Sequence, residues 1–171
     1  YLGKGDRDAL KTAVAHAFGL IFGITLALNA LVYALIDPIL HFLQVPDGIY
    51  ADMRGYLVII FAGLIASFLY NFFACLLRAA GNSAAPLWFL GVSAVLNIAL
   101  DLLFVLVFDW RIAGAAAATV IAQYVSGIGL LLYTLHSCRG LLPEKRHFRW
   151  NGRILREICD LSLLTCAQQS A

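Results

Sequence analysis

Between Lys11 and His136 the sequence is four long apolar runs, and almost every structural choice open to the chain follows from them. Thr12 to Ile36 holds 25 residues without a formal charge. About 20 apolar helical residues suffice to cross the hydrocarbon of a bilayer. The later runs, from about Gly55 to Leu77, Ala85 to Phe108 and Ile112 to Leu135, are of similar length, and the only formally charged residue in all four is Asp101. Inside a bilayer the backbone must satisfy its own hydrogen bonds, which leaves helices or closed barrels, and runs this long are helices. The predicted fold is therefore all-α, a polytopic membrane helix bundle with crossings at about 10–36, 55–78, 85–108 and 112–135. Composition agrees: 62% of the 171 residues are hydrophobic and 13% charged, against about 45–50% and about 25% in soluble domains.

The formal charge of +2 is too small to indicate a nucleic-acid partner, and the basic residues gather in one segment after His136. The four cysteines (Cys75, Cys138, Cys159 and Cys166) form no Cys-x-x-Cys pair and have no histidine at zinc-ligand spacing, so a zinc site is not expected. Cys75 reads as core filler in a helix; the other three fall on the side assigned below to the cytoplasm, where thiols stay reduced. The sequence opens at Tyr1 and stops at Ala171 within an apolar segment begun at Leu161. It is expected to be a piece of a longer protein.

Breaks between the runs are short. Tyr1 to Asp8 is a glycine-bearing turn in which Asp6 or Asp8 can cap the first helix. Asp37-Pro38 is expected to end that helix, because proline disfavours helical geometry in the residue before it. His41 to Asp47 reads as a loop with an apolar hook, Phe42-Leu43. Arg78 closes the second crossing as a cation at a helix C-terminus. In Ala79-Ala-Gly-Asn-Ser83, Gly81 and Asn82 tolerate left-handed geometry, Ser83 can cap, and Pro86 suits the first turn of the third helix. Asp109-Trp-Arg111 is a minimal turn with an interfacial aromatic. Gly114 to Ala118 is a run of small residues that lets helices approach closely.

Lysine and arginine counts give the topology. Ten of the twelve lie in the segment before the first crossing, the turn at Arg78 and the segment after the fourth. Only Arg54 and Arg111 lie on the opposite side. By the positive-inside rule the ten face the cytoplasm, in a multi-pass protein of the cell membrane with both ends of this piece inside. The basic stretch at 136–160 is then a solvated cytoplasmic linker that also attracts anionic membrane lipid.

One pair of side chains stands out against this background. Asp101 lies deep in an apolar run, at a cost of roughly 2.5–3.5 kcal/mol on insertion scales. Asn97 is one helical turn earlier, so the two share a face. A charged oxygen beside a neutral one suits a hard cation such as Na⁺, or a proton. The plainer alternative is a hydrogen-bonded carboxylate near the membrane edge, with Asn97 a helix-packing amide. Gln123 and Asn29 are further polar groups at depth that could line a cavity, or could only bridge helices. Tyr33, Phe61, Phe68, Tyr70, Phe72 and Tyr124 could wall a cavity for a flat cation through cation–π contact, though most such rings face lipid or neighbouring helices. His16, near the cytoplasmic end, reads as meeting headgroups or water.

These residues resemble the multidrug and toxic compound extrusion (MATE) transporters. Leu77-Arg-Ala-Ala-Gly-Asn-Ser-Ala-Ala-Pro86 is similar to the turn between helices four and five of that family, usually Leu-Arg-Gly-x-Gly-Asp-Thr-x-x-Pro. Leu96-Asn-Ile-Ala-Leu-Asp101 resembles its fifth helix and Ile112 to Gln123 its sixth. Tyr1-Leu-Gly-Lys-Gly-Asp6 resembles the turn after helix two. Two departures are Asn82, where the family usually has an acid, and Leu164, where a proline is common early in helix seven.

The resemblance implies a twelve-helix transporter of two six-helix lobes. Residues 1–135 would be helices three to six of the first lobe, 136–160 the linker and 161–171 the start of the second lobe. Helices one and two and the second lobe would be partners from the same polypeptide. It implies efflux of amphipathic or cationic drugs in exchange for Na⁺ or H⁺, with no organic cofactor and no enzymatic activity. Its first-lobe cation site falls by motif position on Asn71, Asn97, Asp101 and Thr119, with Gln123, Asn29 and Tyr70 as cavity-lining candidates. A flippase for lipid-linked sugars from the same superfamily is the alternative, although no lysine or arginine lies inside the crossings beyond Lys11 and Arg78 at their ends. An intramembrane enzyme would need a second catalytic group at depth. A structural subunit would leave Asp101 without a role.

Overall fold

A computed structural model of the chain describes residues 7–137. The turn before Arg7, the basic linker, the helix start at Leu161 and Cys138, Cys159 and Cys166 lie outside the described residues. Four long helices make up the rest: α1 (Arg7–Phe42), α2 (Asp47–Ala79), α3 (Ala84–Leu102) and α4 (Arg111–Ser137), with a π-helical turn, Leu103–Val107, continuing α3. No strand occurs among the described residues. Each helix contains a stretch long and apolar enough to cross a membrane. At about 1.5 Å per residue, the 33 residues of α2 reach well beyond a hydrocarbon core of about 30 Å. The protein is a multi-pass membrane helix bundle.

The chain divides into two compact units, Tyr1–Gly23 with Leu135–Ala171, and Ile24–Thr134. In the first, the described residues are the opening of α1 and the last three of α4; in α1, His16 Nδ1 lies 2.8 Å from the Thr12 carbonyl one turn back. Phe18 and Phe22 stack there at 5.8 Å.

The second unit holds the packed bundle. Its α1–α2 hairpin is zipped by side chains at regular intervals. Asn29 Nδ2 donates to the Phe61 carbonyl at 2.7 Å, and the Tyr33 hydroxyl to that of Val58 at 2.9 Å. Nearer the turn, Arg54 donates to the Asp37 carboxylate at 2.7 and 3.3 Å and Tyr50 donates to it at 3.0 Å. With Asp37 clamped and Ile36 and Leu40 buried, the helix runs through Pro38 to Phe42. This corrects the sequence expectation that Asp37-Pro38 ends α1. Proline removes one backbone donor, and here packing on both sides outweighs that loss. The turn that follows puts Gln44 at φ 52°.

Asn29 is the one buried amide of this hairpin. Asn29→Leu should lower the thermal stability of the full-length protein in detergent by about 0.6 kcal/mol, and at most about 1.7, the range for hydrogen bonds between membrane helices. An unchanged unfolding temperature would show that the Phe61 carbonyl loses nothing when the amide goes.

Helices α2 and α4 run in the same sense and meet through small residues. A Cβ built on Gly63 would lie 3.0 Å from Gln123 Oε1 and from Val120 Cγ2, and one on Gly127 would lie 3.0 Å from the Ala66 carbonyl oxygen. Ala66, Ala116, Ala118 and Ala122 are buried. The Tyr124 hydroxyl donates to the Ala62 carbonyl at 3.0 Å. The α3–α4 hairpin is antiparallel. Ser126 donates to the Phe89 carbonyl at 3.2 Å and Ser93 to that of Ala122 at 3.0 Å, while the Phe89 ring meets Tyr133 edge-on.

The α2–α3 turn contains Gly81 at φ 87°, the left-handed geometry that glycine adopts without a Cβ clash. Ser83 makes no side-chain cap, contrary to expectation. Asn82 takes that role: its Oδ1 accepts from the Ala85 amide at 3.2 Å and its Nδ2 donates to the Tyr133 hydroxyl at 3.2 Å. One side chain thus caps α3 and pins the turn to α4. Cys75 is exposed rather than core filler. Apart from Ala85 and Pro86, no residue of α3 is buried, and its outer face is a shallow apolar groove of about 610 Å³ lined by Trp88, Val92, Val95 and Ala99 among others.

Candidate cation site

Helical geometry places Ser93, Asn97 and Asp101 on one face of α3, each a turn from the next. Ser93 is bonded to the α4 backbone. Asn97 Nδ2 donates to Thr119 Oγ1 at 3.3 Å, and that hydroxyl donates to the Ala115 carbonyl of its own helix at 3.0 Å. The third member differs: Asp101 Oδ1 is buried and has no hydrogen-bond partner. A buried carboxylate oxygen left bare carries a desolvation cost that a bound cation or proton would relieve.

The structure joins two of the residues expected from the sequence by a hydrogen bond, Asn97 and Thr119. Asn97 and Thr119 bridge α3 and α4, and Asp101 follows one turn along. Asn71 stands apart, exposed on α2, with its Nδ2 bonded to the Ser67 carbonyl one turn back at 2.8 Å. The Ser67 hydroxyl in turn donates to Gln123 Oε1 at 3.0 Å. Gln123 lies one turn beyond Thr119, so α4 carries both sets on neighbouring turns. Asn29 and Tyr70 have their polar ends on backbone carbonyls, those of Phe61 and Pro86. Ser67 and Ser93 were not singled out from sequence; their signal was only that a hydroxyl at membrane depth needs a partner.

Immediately past Asp101 the winding changes. The Leu103 amide is shared between the Ala99 and Leu100 carbonyls. Phe108 N then donates to the Leu103 carbonyl at 3.2 Å and Trp110 N to that of Phe104 at 3.0 Å, spans of five and six residues. Asp109 turns the chain at φ 52°. Phe104, Phe108 and Trp110 form a mutual stack, with centroids 5.2 to 6.1 Å apart. Trp110 sits at the expected minimal turn and is exposed.

Among the described residues no three His, Cys, Asp or Glu side chains gather in a metal cluster. What the arrangement offers chemically is one carboxylate with neutral oxygens nearby, a donor set for a hard cation of low charge or a proton.

Four apolar helices, each long enough to cross a membrane, define a class, the multi-pass membrane proteins. Comparison with known sequences narrows the class. The MatE family profile matches residues 1–103. A probable multidrug resistance protein of Bacillus subtilis, YpnP, is 33% identical over 78% of this chain and 30% of its own length. The probable multidrug resistance protein NorM of Thermotoga maritima is 27% identical over 84% of this chain and 33% of its own length. The multidrug export protein MepA of Staphylococcus saprophyticus is 27% identical over 90% and 35%. No solved structure matches the chain. The protein belongs to the MatE family, whose members are transporters and not enzymes. The chain spans about a third of the length of these relatives.

Proposed function

We propose that the chain is helices three to six of the first lobe of a secondary active efflux transporter, residues 1–135, followed by a cytoplasmic linker at 136–160 and the start of the second lobe at 161–171. The parent protein exchanges amphipathic or cationic drugs for Na⁺ or H⁺ across the cell membrane. The observation that carries this reading is the buried, partnerless oxygen of Asp101 one turn from the Asn97–Thr119 pair. The coupling cation is held at Asp101, with Asn97 and Thr119 supplying neutral oxygens. Asn71 joins the site if α2 turns its exposed side chain inward in another state. Gln123, Asn29 and Tyr70 border the drug path. Lysine and arginine counts support an orientation with both ends of this piece in the cytoplasm.

Exchange follows from competition. Cation binding at Asp101 favours one arrangement of the lobe and drug binding the other, and each ligand shifts the equilibrium by its differential affinity. Rocking of the two lobes then alternates access to the cavity.

The test is ethidium efflux from cells lacking their own pumps, with full-length wild type and Asp101→Asn present at equal levels in the membrane. A Na⁺ gradient is applied first, then a proton gradient alone. Export by wild type and not by Asp101→Asn is the expected result, and the gradient that drives it names the ion. Equal export by both proteins makes Asp101 structural. Export by neither points back to the flippase.

A further inference from the structure

The π turn after Asp101 has no cause in its own sequence. Kinks in helices arise at proline, at glycine or serine pairs, at π turns, or where a side chain intrudes. From Asn97 to Trp110 there is no proline, glycine or serine. A π turn is rare and occurs mostly as a single turn inside an α-helix, often at functional sites. It persists where its surroundings hold it open.

Here two features hold it. The first is the Phe104–Phe108–Trp110 stack, which the wide turn brings to one place. The second is Gly114 on α4. A Cβ there would lie 3.0 Å from Trp110 Cβ, 3.1 Å from Phe104 Cβ and 3.3 Å from the Phe104 backbone carbonyl carbon. A Cβ there would push the first turn of α4 and Phe104 apart by a few tenths of an ångström. At its other end the π turn begins two residues after the bare oxygen of Asp101. At this junction the Leu103 amide still reaches its α-type acceptor, the Ala99 carbonyl, and also the Leu100 carbonyl, so the change of winding starts beyond it.

We infer that the Leu103–Val107 turn is the joint through which Asp101 acts, its winding set by whether the carboxylate is occupied. This rests on the cation-site reading of Asp101 and says what the bound cation moves. A filled and an empty Asp101 differ in the pull they exert on the neighbouring backbone. Taking up the extra residue of a π turn into α winding rotates everything beyond it by about 100° around the helix axis, one residue's share of a 3.6-residue turn. That rotation carries Phe108 and Trp110 off the stack and repositions the α3–α4 connection. Gly114 is a positioning residue in this scheme, since it gives Phe104 its seat without touching the cation.

The experiment is hydrogen exchange on the full-length protein, following the peptide over 102–112 in wild type, Asp101→Asn and Gly114→Ala, with ethidium efflux measured on the same proteins. Asp101→Asn, which neutralises the site permanently, should change exchange of the 103–110 amides severalfold and leave the α4 amides beyond Ile121 unchanged. Gly114→Ala should alter the same amides and slow efflux with Asp101 intact. If Asp101→Asn loses efflux while exchange over 103–110 stays as in wild type, the joint is overturned and the cation site stands. If Asp101→Asn keeps full efflux, both fall.

Discussion

Asp101→Leu should make the full-length protein more stable while abolishing drug export. The carboxylate has an oxygen that is buried and unpartnered, and leucine fills nearly the same space without it. On insertion scales an aspartate at a helix centre costs about 2.5–3.5 kcal/mol where leucine gains about 0.3–0.6. The side chain as a whole is only half-buried, so about 3 kcal/mol is an upper bound on the gain. Asp101→Asn should fall between, because its amide still needs a partner. The measurement pairs thermal unfolding in detergent with efflux in cells. A rise in unfolding temperature together with lost efflux is the signature of a group kept for function at the expense of stability. A loss of stability of similar size would instead mark Asp101 as a structural hydrogen-bonding group, and the bare oxygen as one that finds its partner elsewhere in the full-length protein.

The helices were legible because a membrane leaves the backbone so few options. Uncharged runs longer than 20 residues become helices, and four crossings, their order and their short connections follow. Asp101 was legible for the same reason, since an acid in such a run is conspicuous. Its relation to Asn97 needed only the helical repeat, and Thr119 came from the resemblance. What sequence concealed was packing direction. In a soluble helix the apolar stripe marks the buried face. In a bilayer, lipid-facing side chains are as apolar as those facing other helices. Cys75 was therefore assigned to the core and is exposed, while Ser67, which bonds Gln123, passed unnoticed.

The helix limits misread for a different reason. Asp37-Pro38 is a sound local stop signal, but the clamp from Arg54 and Tyr50 lies more than a dozen residues away and cannot be seen locally. Ser83 and Asn82 are both good capping residues; the Tyr133 hydroxyl on α4 engages Asn82, which caps instead. The π turn leaves no mark in the sequence at all, because it is one extra residue of ordinary type.

Gly127→Leu should disrupt the bundle more than any other single change on the α2–α4 interface. Gly127 is buried, and a Cβ there would meet the Ala66 carbonyl oxygen at 3.0 Å, Leu69 Cβ at 3.3 Å and the Tyr70 amide nitrogen at 3.4 Å. Two of these three are backbone atoms of α2, which cannot swing aside as a side chain can. Alanine would be accommodated by a shift of a few tenths of an ångström. Leucine requires the helices to separate, and separation stretches the Ser67–Gln123 and Tyr124–Ala62 hydrogen bonds. Overpacking of this kind costs about 1–3 kcal/mol and sometimes more; with the two hydrogen bonds added, the upper end is expected. Gly129→Ala is the informative contrast. Its Cβ would lie closer to a neighbour, 2.7 Å from Phe89 Cε1, but that neighbour is the edge of a ring, which can tilt. Thermal unfolding of the two variants in detergent should therefore rank them in the reverse order of their shortest distances, with Gly127→Leu far below wild type and Gly129→Ala near it. A Gly127→Leu protein that unfolds with wild type would mean that α2 and α4 are not held together at this crossing.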